Sequence, residues 1–302
     1  MGRQVCSPHS TIGGDIIMKK VLVTGATGFI GNYVIQELLI RDHSIIASSA
    51  DELKARKASW FDKITYVSFD LTRVDPDINY FDFFHQPDLM IHLAWEGLPN
   101  YKSAFHIEEN LPRHFTILSN LIKNGLRDLT VTGTCLEYGL KEGMLTEDMP
   151  SLPSSPYAIA KNELRKSIEA LQQDYSFSFK WLRLFYIYGK GQNPNSLLSQ
   201  LDKALENNEQ VFNMSGGEQS RDYLPVEKVA EYIVKTALQD DVTGIINCCS
   251  GQPVTVKQFV EDYLQKKNKT IKLNLGYYLY PDYESMHFWG DNSKLKTILD
   301  NE

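Results

Sequence analysis

Short apolar runs recur along the first two-thirds of the chain: Lys20 to Thr24, Ser44 to Ser48, Ile64 to Phe69, Leu89 to Ala94, Leu129 to Thr132 and Lys180 to Tyr186. Between them lie helix-patterned or polar segments. Runs that stay apolar on successive residues suit strands buried on both faces, and their alternation with helices predicts a parallel sheet covered on each side. This is the doubly wound α/β class, in which ligands sit at the carboxyl ends of the strands. After Gly189 the rhythm breaks into loops and helices, returns as a buried strand at Gly244 to Cys249, and ends in a stretch rich in aromatics.

The first apolar run leads directly into Thr24-Gly25-Ala26-Thr27-Gly28-Phe29-Ile30-Gly31, which opens a helix pattern reaching Leu39. Gly25 permits a tight turn, Gly28 lets the backbone approach phosphates, and Gly31 lets the helix pack against the strand. A strand, a glycine turn and a helix N-terminus together hold a dinucleotide pyrophosphate without a charged side chain. An ordinary strand-to-helix turn is the plainer alternative. The expected organisation is a Rossmann domain over 18–189 and a smaller, mainly substrate-binding lobe over 190–302, with 225–250 returning to the sheet. Residues 1–17 show neither a signal-peptide core nor a period, and the fold is expected to begin at Met18.

The net charge of −7 over 302 residues argues against a nucleic-acid partner, which needs a basic face. No run approaches the roughly 18 apolar residues of a membrane helix, so the chain reads as cytoplasmic. Cys6, Cys135, Cys248 and Cys249 have no metal-ligand spacing, and no metal site or disulfide framework is expected.

Ser154-Ser155-Pro156-Tyr157, followed by Lys161, reads as a helix start with Ser155 as N-cap and Pro156 at the first position. Tyr157 and Lys161 then share a face. A tyrosine with its usual pKa of about 10 is a poor acid–base group at neutral pH, and a nearby ammonium is expected to lower it. The pair could then move a proton at a carbinol oxygen while a nicotinamide exchanges hydride with the carbon. Tyr186/Lys190 and Tyr263/Lys267 have the same spacing. The former holds Gly189 at a strand exit and is not expected to be helical; the latter reads as a solvated helix face. Thr134, placed at the end of a central strand, can orient a substrate oxygen, or simply satisfy backbone groups.

The glycine motif, Asp70-Leu71, His92-Leu93-Ala94, Thr134 to Gly139, Tyr157/Lys161, Arg183 to Gly189, Arg221-Asp222-Tyr223 and Asp291 to Lys294 occur in the order seen in the extended short-chain dehydrogenases/reductases, the nucleotide-sugar epimerase/dehydratase group. The chain resembles that family over nearly everything after Met18. The resemblance implies a catalytic set of Tyr157, Lys161 and Thr134. It implies cofactor contacts from Gly25, Thr27, Gly28, Phe29, Ile30, Gly31, Ser49, Asp70, Leu71, Leu93, Ala94, Tyr157 and Lys161. Substrate contacts would come from Trp95, Thr134, Cys135, Tyr186 and Arg221, with Arg221 reaching the nucleotide or diphosphate. A capping role for Asp70 and a surface ion pair for Arg221 are the alternatives. Family members often form homodimers through two helices per subunit.

Departures from the family pattern narrow the reaction. NAD-preferring relatives carry an acid at the end of the second strand, about 20 residues past the glycines; Ser49 fills that place, with Asp51 close by. With Lys54 and Arg56 downstream, this favours NADPH, NADH being the alternative. Sugar dehydratases of the group place Asp-Glu after the threonine, where this chain has Cys135-Leu136. Epimerising reductases that make GDP-fucose place a cysteine and a histidine where Leu136 and Gly191 stand. Two reactions survive, namely reduction of a nucleotide-activated 4-keto sugar and 4-epimerisation with retained NAD. Leu93 to Tyr101 and Arg183 to Gly189 look like bacterial reductases that convert dTDP-4-keto-6-deoxyglucose to dTDP-fucose for surface polysaccharide (O-antigen). A non-catalytic dinucleotide sensor is the alternative outside enzymes, and the intact Thr-Tyr-Lys set speaks against it.

Overall fold

Alternation within the first strand creates two cores. Val21 and Val23 face one way among Val34, Leu38, Ile233 and Val234, while Leu22 faces the other way among Leu118, Leu121, Leu164 and Ile168. Successive strand side chains point to opposite faces, so an apolar residue at every position commits both faces to helices.

The computed structural model describes residues 18–280 and 282–300; the extension over 1–17 lies outside the described residues. In chain order the strands are β1 (Lys20–Thr24), β2 (Ser44–Ser49), β3 (Thr65–Ser68), β4 (Leu89–His92), β5 (Asp128–Thr134), β6 (Gly143–Leu145), β7 (Ser178–Leu184), β8 (Tyr186–Tyr188), β9 (Val211–Asn213), β10 (Ser220–Pro225), β11 (Gly244–Cys248), β12 (Pro253–Thr255), β13 (Lys272–Asn274) and β14 (Phe288–Gly290). The helices are α1 (Phe29–Ile40), α2 (Glu52–Ala55), α3 (Tyr80–Phe83), α4 (Leu111–Asn124), α5 (Pro156–Leu171), α6 (Leu197–Glu206), α7 (Val226–Leu238), α8 (Val256–Lys266) and α9 (Ser293–Leu299).

Seven strands form the main sheet in the order β3-β2-β1-β4-β5-β7-β11, and every pairing is parallel. This is the doubly wound arrangement. The strand order reverses between β1 and β4, so a crevice opens at their carboxyl ends. The run expected to continue to Tyr186 instead leaves the main sheet at Phe185 and restarts as β8, which pairs with β10 beside β12. β5 continues past Thr132 to Thr134 because β7 pairs with it along its whole length.

α6, α8 and β9 enclose a separate small core of Leu198, Leu201, Phe212, Val260 and Leu264. α7 and β11 return to the main sheet, α7 packing on α1 and β11 pairing with β7. Cys135 and Tyr138 meet Phe185, Cys249 and Phe288 in a cluster that joins these regions.

Just beyond β5 the chain makes a 3-10 turn, Cys135–Tyr138, and sends the fully buried Glu137 back into the sheet. Its carboxylate accepts from the Thr134 amide at 2.9 Å, from Trp181 Nε1 at 2.9 Å and from Arg183 Nε at 2.9 Å. Arg165 of α5 approaches it at 3.9 Å. One buried charge thereby fixes the end of β5 against β7 and α5. Removing one partner of a buried ion pair strands the other in low dielectric. Glu137→Ala is therefore expected to cost about 3–5 kcal/mol of unfolding free energy; urea denaturation checks this, and a loss under about 1 kcal/mol would contradict the assignment.

Candidate active site

Two cavities lie at the carboxyl end of the sheet. The first, of about 230 Å³, is lined among others by Gly25, Thr27, Gly28, Ser49, Lys54, Leu71, Leu93, Ala94 and Trp95. Gly25 has φ +70°, and a Cβ there would come within 2.8 Å of the Ala94 nitrogen; a Cβ on Gly31 would come within 2.2 Å of the Gly25 carbonyl oxygen. Only glycines permit so tight a cradle. α1 begins beside it with Gly28 as N-cap and no side-chain capping bond, which leaves its first amides free to meet an anion. A pyrophosphate fits this backbone cradle, and the cavity extending to Ser49 and Leu71 suits an adenosine.

The second cavity, of about 400 Å³, is lined by Thr134, Cys135, Tyr157, Tyr186, Tyr101 and Glu284 together with Phe29, Ile30 and a largely apolar remainder. Phe29 and Ile30 thus line this cavity, while their amides belong to the α1 N-terminus beside the glycine cradle. Ser155 caps α5 through the Ala158 amide, with Pro156 as the first helical residue, and Tyr157 N donates to Tyr101 O at 3.1 Å. Those contacts aim Tyr157 at the cavity. Both Tyr157 and Thr134 line this cavity, near enough for Thr134 to oppose the rise of the Tyr157 pKa, and Thr134 Oγ1 itself accepts from Leu136 N at 3.3 Å.

Lys161, one turn on, donates from Nζ to Thr132 O at 2.8 Å and lies 4.1 Å from the centre of the Trp95 ring. Burial lowers its pKa to about 7, against the opposing pull of Glu137. The expectation that Lys161 would depress the Tyr157 pKa needs correction. Burial dominates and pushes Tyr157 up, with Tyr101 and Glu137 adding to the rise. Tyr157 is held as a neutral phenol, the form that donates a proton.

Behind Trp95 lies a buried chain of rings. His92 bonds Thr24 Oγ1 at 2.7 Å and His114 at 2.8 Å, and His114 stacks on Trp95 with ring centres 4.5 Å apart. Trp95 Nε1 donates to His106 Nδ1 at 3.1 Å, so His106 carries its proton on Nε2 and gives it to Asn100 O. Burial lowers His92 to about 3 and moves His114 in the same direction.

Several expected contacts fall elsewhere. Arg221 is not at the surface and lines neither of these two cavities: it is 1% exposed, bonded to Tyr186 OH, two backbone carbonyls and Glu284. Asp70 caps a 3-10 turn through Thr72 and lines a neighbouring cavity with Ser68 and Phe69; Leu71 alone of that pair reaches the glycine cradle. Arg56 is committed to Glu52 at 2.5 Å. Tyr186 is on a strand, as its glycine-containing spacing suggests. Tyr263 and Lys267 lie at the surface end of α8 as expected, Lys267 exposed and Tyr263 half-buried, and both bond Asp202 of α6, at 2.7 and 2.6 Å. Cys135 lines the larger cavity, and burial raises its thiol pKa. Glu137 and Glu284 had no spacing to mark them; each is identified only by the distant partners it meets. Among the described residues there is no metal-binding cluster and no helix long and apolar enough to cross a membrane.

The sequence profile of the NAD dependent epimerase/dehydratase family matches residues 21–249. A dTDP-6-deoxy-L-talose 4-dehydrogenase (NAD(+)) of Aggregatibacter actinomycetemcomitans is 28% identical over 272 residues, covering 90% of this chain and 99% of the relative. A dTDP-4-dehydro-6-deoxyglucose reductase of Escherichia coli is 22% identical, covering 84% of each chain. The UDP-glucuronic acid 4-epimerase of Bacillus cereus, solved with UDP-glucuronic acid and NAD, superposes with a TM-score of 0.80 at 21% identity, covering 94% of this chain and 93% of that one.

The buried histidines set an acid limit. A lowered pKa in the folded state contributes stability that is fully present above the ordinary value of 6.5 and is lost as pH falls toward about 3. Stability measured by urea denaturation is expected to fall across that window, and less steeply in His92→Gln, by about 1 kcal/mol or more. Identical slopes for the two proteins would contradict burial of a neutral His92.

Proposed function

The chain belongs to the NAD dependent epimerase/dehydratase family, the extended short-chain dehydrogenases/reductases, and we propose that it reduces the C4 ketone of a nucleotide-activated 4-keto-6-deoxyhexose. The observation that carries this reading is the neutral, buried Tyr157 together with Thr134 on the wall of a largely apolar cavity. The most specific form is dTDP-4-keto-6-deoxyglucose to dTDP-fucose, for surface polysaccharide. It draws support from two relatives whose names pair a dTDP-activated 6-deoxyhexose with oxidation or reduction. Leu98, Pro99 and Phe185 on the cavity wall suit a methyl group at C6 rather than a hydroxyl.

A nicotinamide bound next to the glycine cradle supplies the hydride. Thr134 fixes the ketone oxygen, and Tyr157 passes its proton to that oxygen as negative charge grows there. Lys161 lies one helical turn beyond Tyr157, behind the cavity wall and against Thr132 O; burial lowers its pKa to about 7, and in its charged form it can steady the phenolate left behind. Glu137 keeps both Thr134 and the strand beneath Lys161 in place.

NADPH is the cofactor we assign. Ser49 Oγ lies 3.0 Å from Tyr66 OH, which donates to Ser49 O at 2.8 Å, so a neutral pair stands where an acid would bind ribose hydroxyls. Lys54 lines the same cavity and could meet a 2′-phosphate. NADH is the alternative, as the name of the talose dehydrogenase suggests. Among the fold's solved relatives are 4-epimerases with NAD, and they keep the second reading open: epimerisation with retained NAD. We also infer a cytoplasmic enzyme that works as a homodimer.

Purified protein given dTDP-4-keto-6-deoxyglucose should oxidise NADPH in proportion to the 6-deoxyhexose formed. Tyr157→Phe should keep its cofactor affinity while kcat drops by about 10²–10⁴; retained turnover would overturn the proton-donor role. Ser49→Asp should shift kcat/KM toward NADH by about tenfold or more, and an unmoved preference would refute the cofactor assignment.

A further inference from the structure

The larger cavity has a charge pattern that sorts its substrates. Glu284 is the one charged side chain on its lining, and no lysine or arginine shares that wall among the described residues. The carboxylate is held from behind. Arg221 Nη2 donates to it at 2.9 Å, with the guanidinium 2% and the carboxylate 12% exposed as side chains. Arg221 Nε also donates to Tyr186 OH at 3.1 Å, so one guanidinium ties Tyr186 and Glu284 together. The guanidinium is clamped over the Phe288 ring at 4.6 Å and takes no part in the lining. The ion pair therefore turns its negative end toward the sugar space and hides its positive end.

Resting on the reading given under Proposed function, we propose that Glu284 is the specificity-determining residue for the sugar: it accepts hydrogen bonds from sugar hydroxyls and rejects hexoses that carry their own carboxylate. A carboxylate has about four lone-pair positions, and the bond from Arg221 leaves acceptor capacity for a ligand. A hexuronate in the same cavity would bring a second carboxylate beside Glu284, with no cation on that wall to receive it. Juxtaposed like charges there are a strong device of discrimination. The substrate class is thereby narrowed to nucleotide sugars that are neutral in the hexose.

The test is equilibrium binding to the holoenzyme of dTDP-glucose and dTDP-glucuronic acid, which differ only at C6, with dTDP as the reference for the nucleotide portion. The wild-type protein should bind the neutral sugar at least about tenfold more tightly than the uronate. Glu284→Gln keeps the shape and removes the charge, and should shrink that ratio to below about threefold while dTDP affinity stays the same. Equal wild-type affinities for the two sugars, or a ratio that Glu284→Gln leaves intact, would overturn the proposal. Equal wild-type affinities overturn the proposal even if the variant does not fold. Failure of both sugars and of dTDP to bind would instead remove the nucleotide-sugar reading, and this proposal with it.

Discussion

The Glu137 carboxylate is the constraint on which the site depends. It is fully buried, and its bonds to the Thr134 amide, Trp181 and Arg183 stitch two central strands at the point where the substrate cavity starts. A buried charge is tolerated only when donors surround it, so this corner of the sheet has one arrangement rather than several. Thr134 inherits its position from that bond, and Tyr157 is held opposite by the Tyr101 backbone and the Ser155 cap. Precision at the reacting atoms thus originates a few residues away, in a carboxylate that touches no substrate.

Burial then determines the chemistry of each group. Desolvation disfavours whichever form is charged, and it acts in opposite senses on the proposed catalytic pair: Tyr157 keeps its proton, while Lys161 falls to about 7. A neutral acid next to a partly charged base suits the delivery of a proton to a ketone. The ring chain from Thr24 through His92, His114 and Trp95 links the strand that enters the glycine cradle to the indole face over which Lys161 sits. On the far wall, Glu284 and Arg221 use the same principle, since a carboxylate can border an apolar cavity only with a guanidinium behind it.

Local signals in the sequence reached some of these features and could not reach others. The glycine turn and the Tyr157 helix start were legible because their meaning lies within a few residues, in φ, capping and helical spacing. The parallel sheet was legible because fully apolar strands have no polar face. The strand break at Phe185 was not, since it is decided by β10 pairing with β8. Arg221 was read as a group for the nucleotide, but its partner Glu284 lies 63 residues further on. Asp70 was half legible: it lies beside the expected adenosine cavity, yet its carboxylate is used for a cap. The effect of Lys161 on Tyr157 was misjudged because spacing on a helix indicates proximity and says nothing about desolvation. Glu137 stood inside a recognised motif, and its role emerged only with Trp181 and Arg183 in place.

The fate of the hydride separates the two reactions, because a reductase gives it up to the product while an epimerase returns it. The most direct measurement uses nicotinamide cofactors deuterated in turn at each transferable position, with dTDP-4-keto-6-deoxyglucose as acceptor, and reads the product sugar by NMR. One deuterium at C4 per turnover, from one of the two labelled faces, is the predicted result. A sugar product without deuterium at C4, formed while the added cofactor keeps its label, would contradict it.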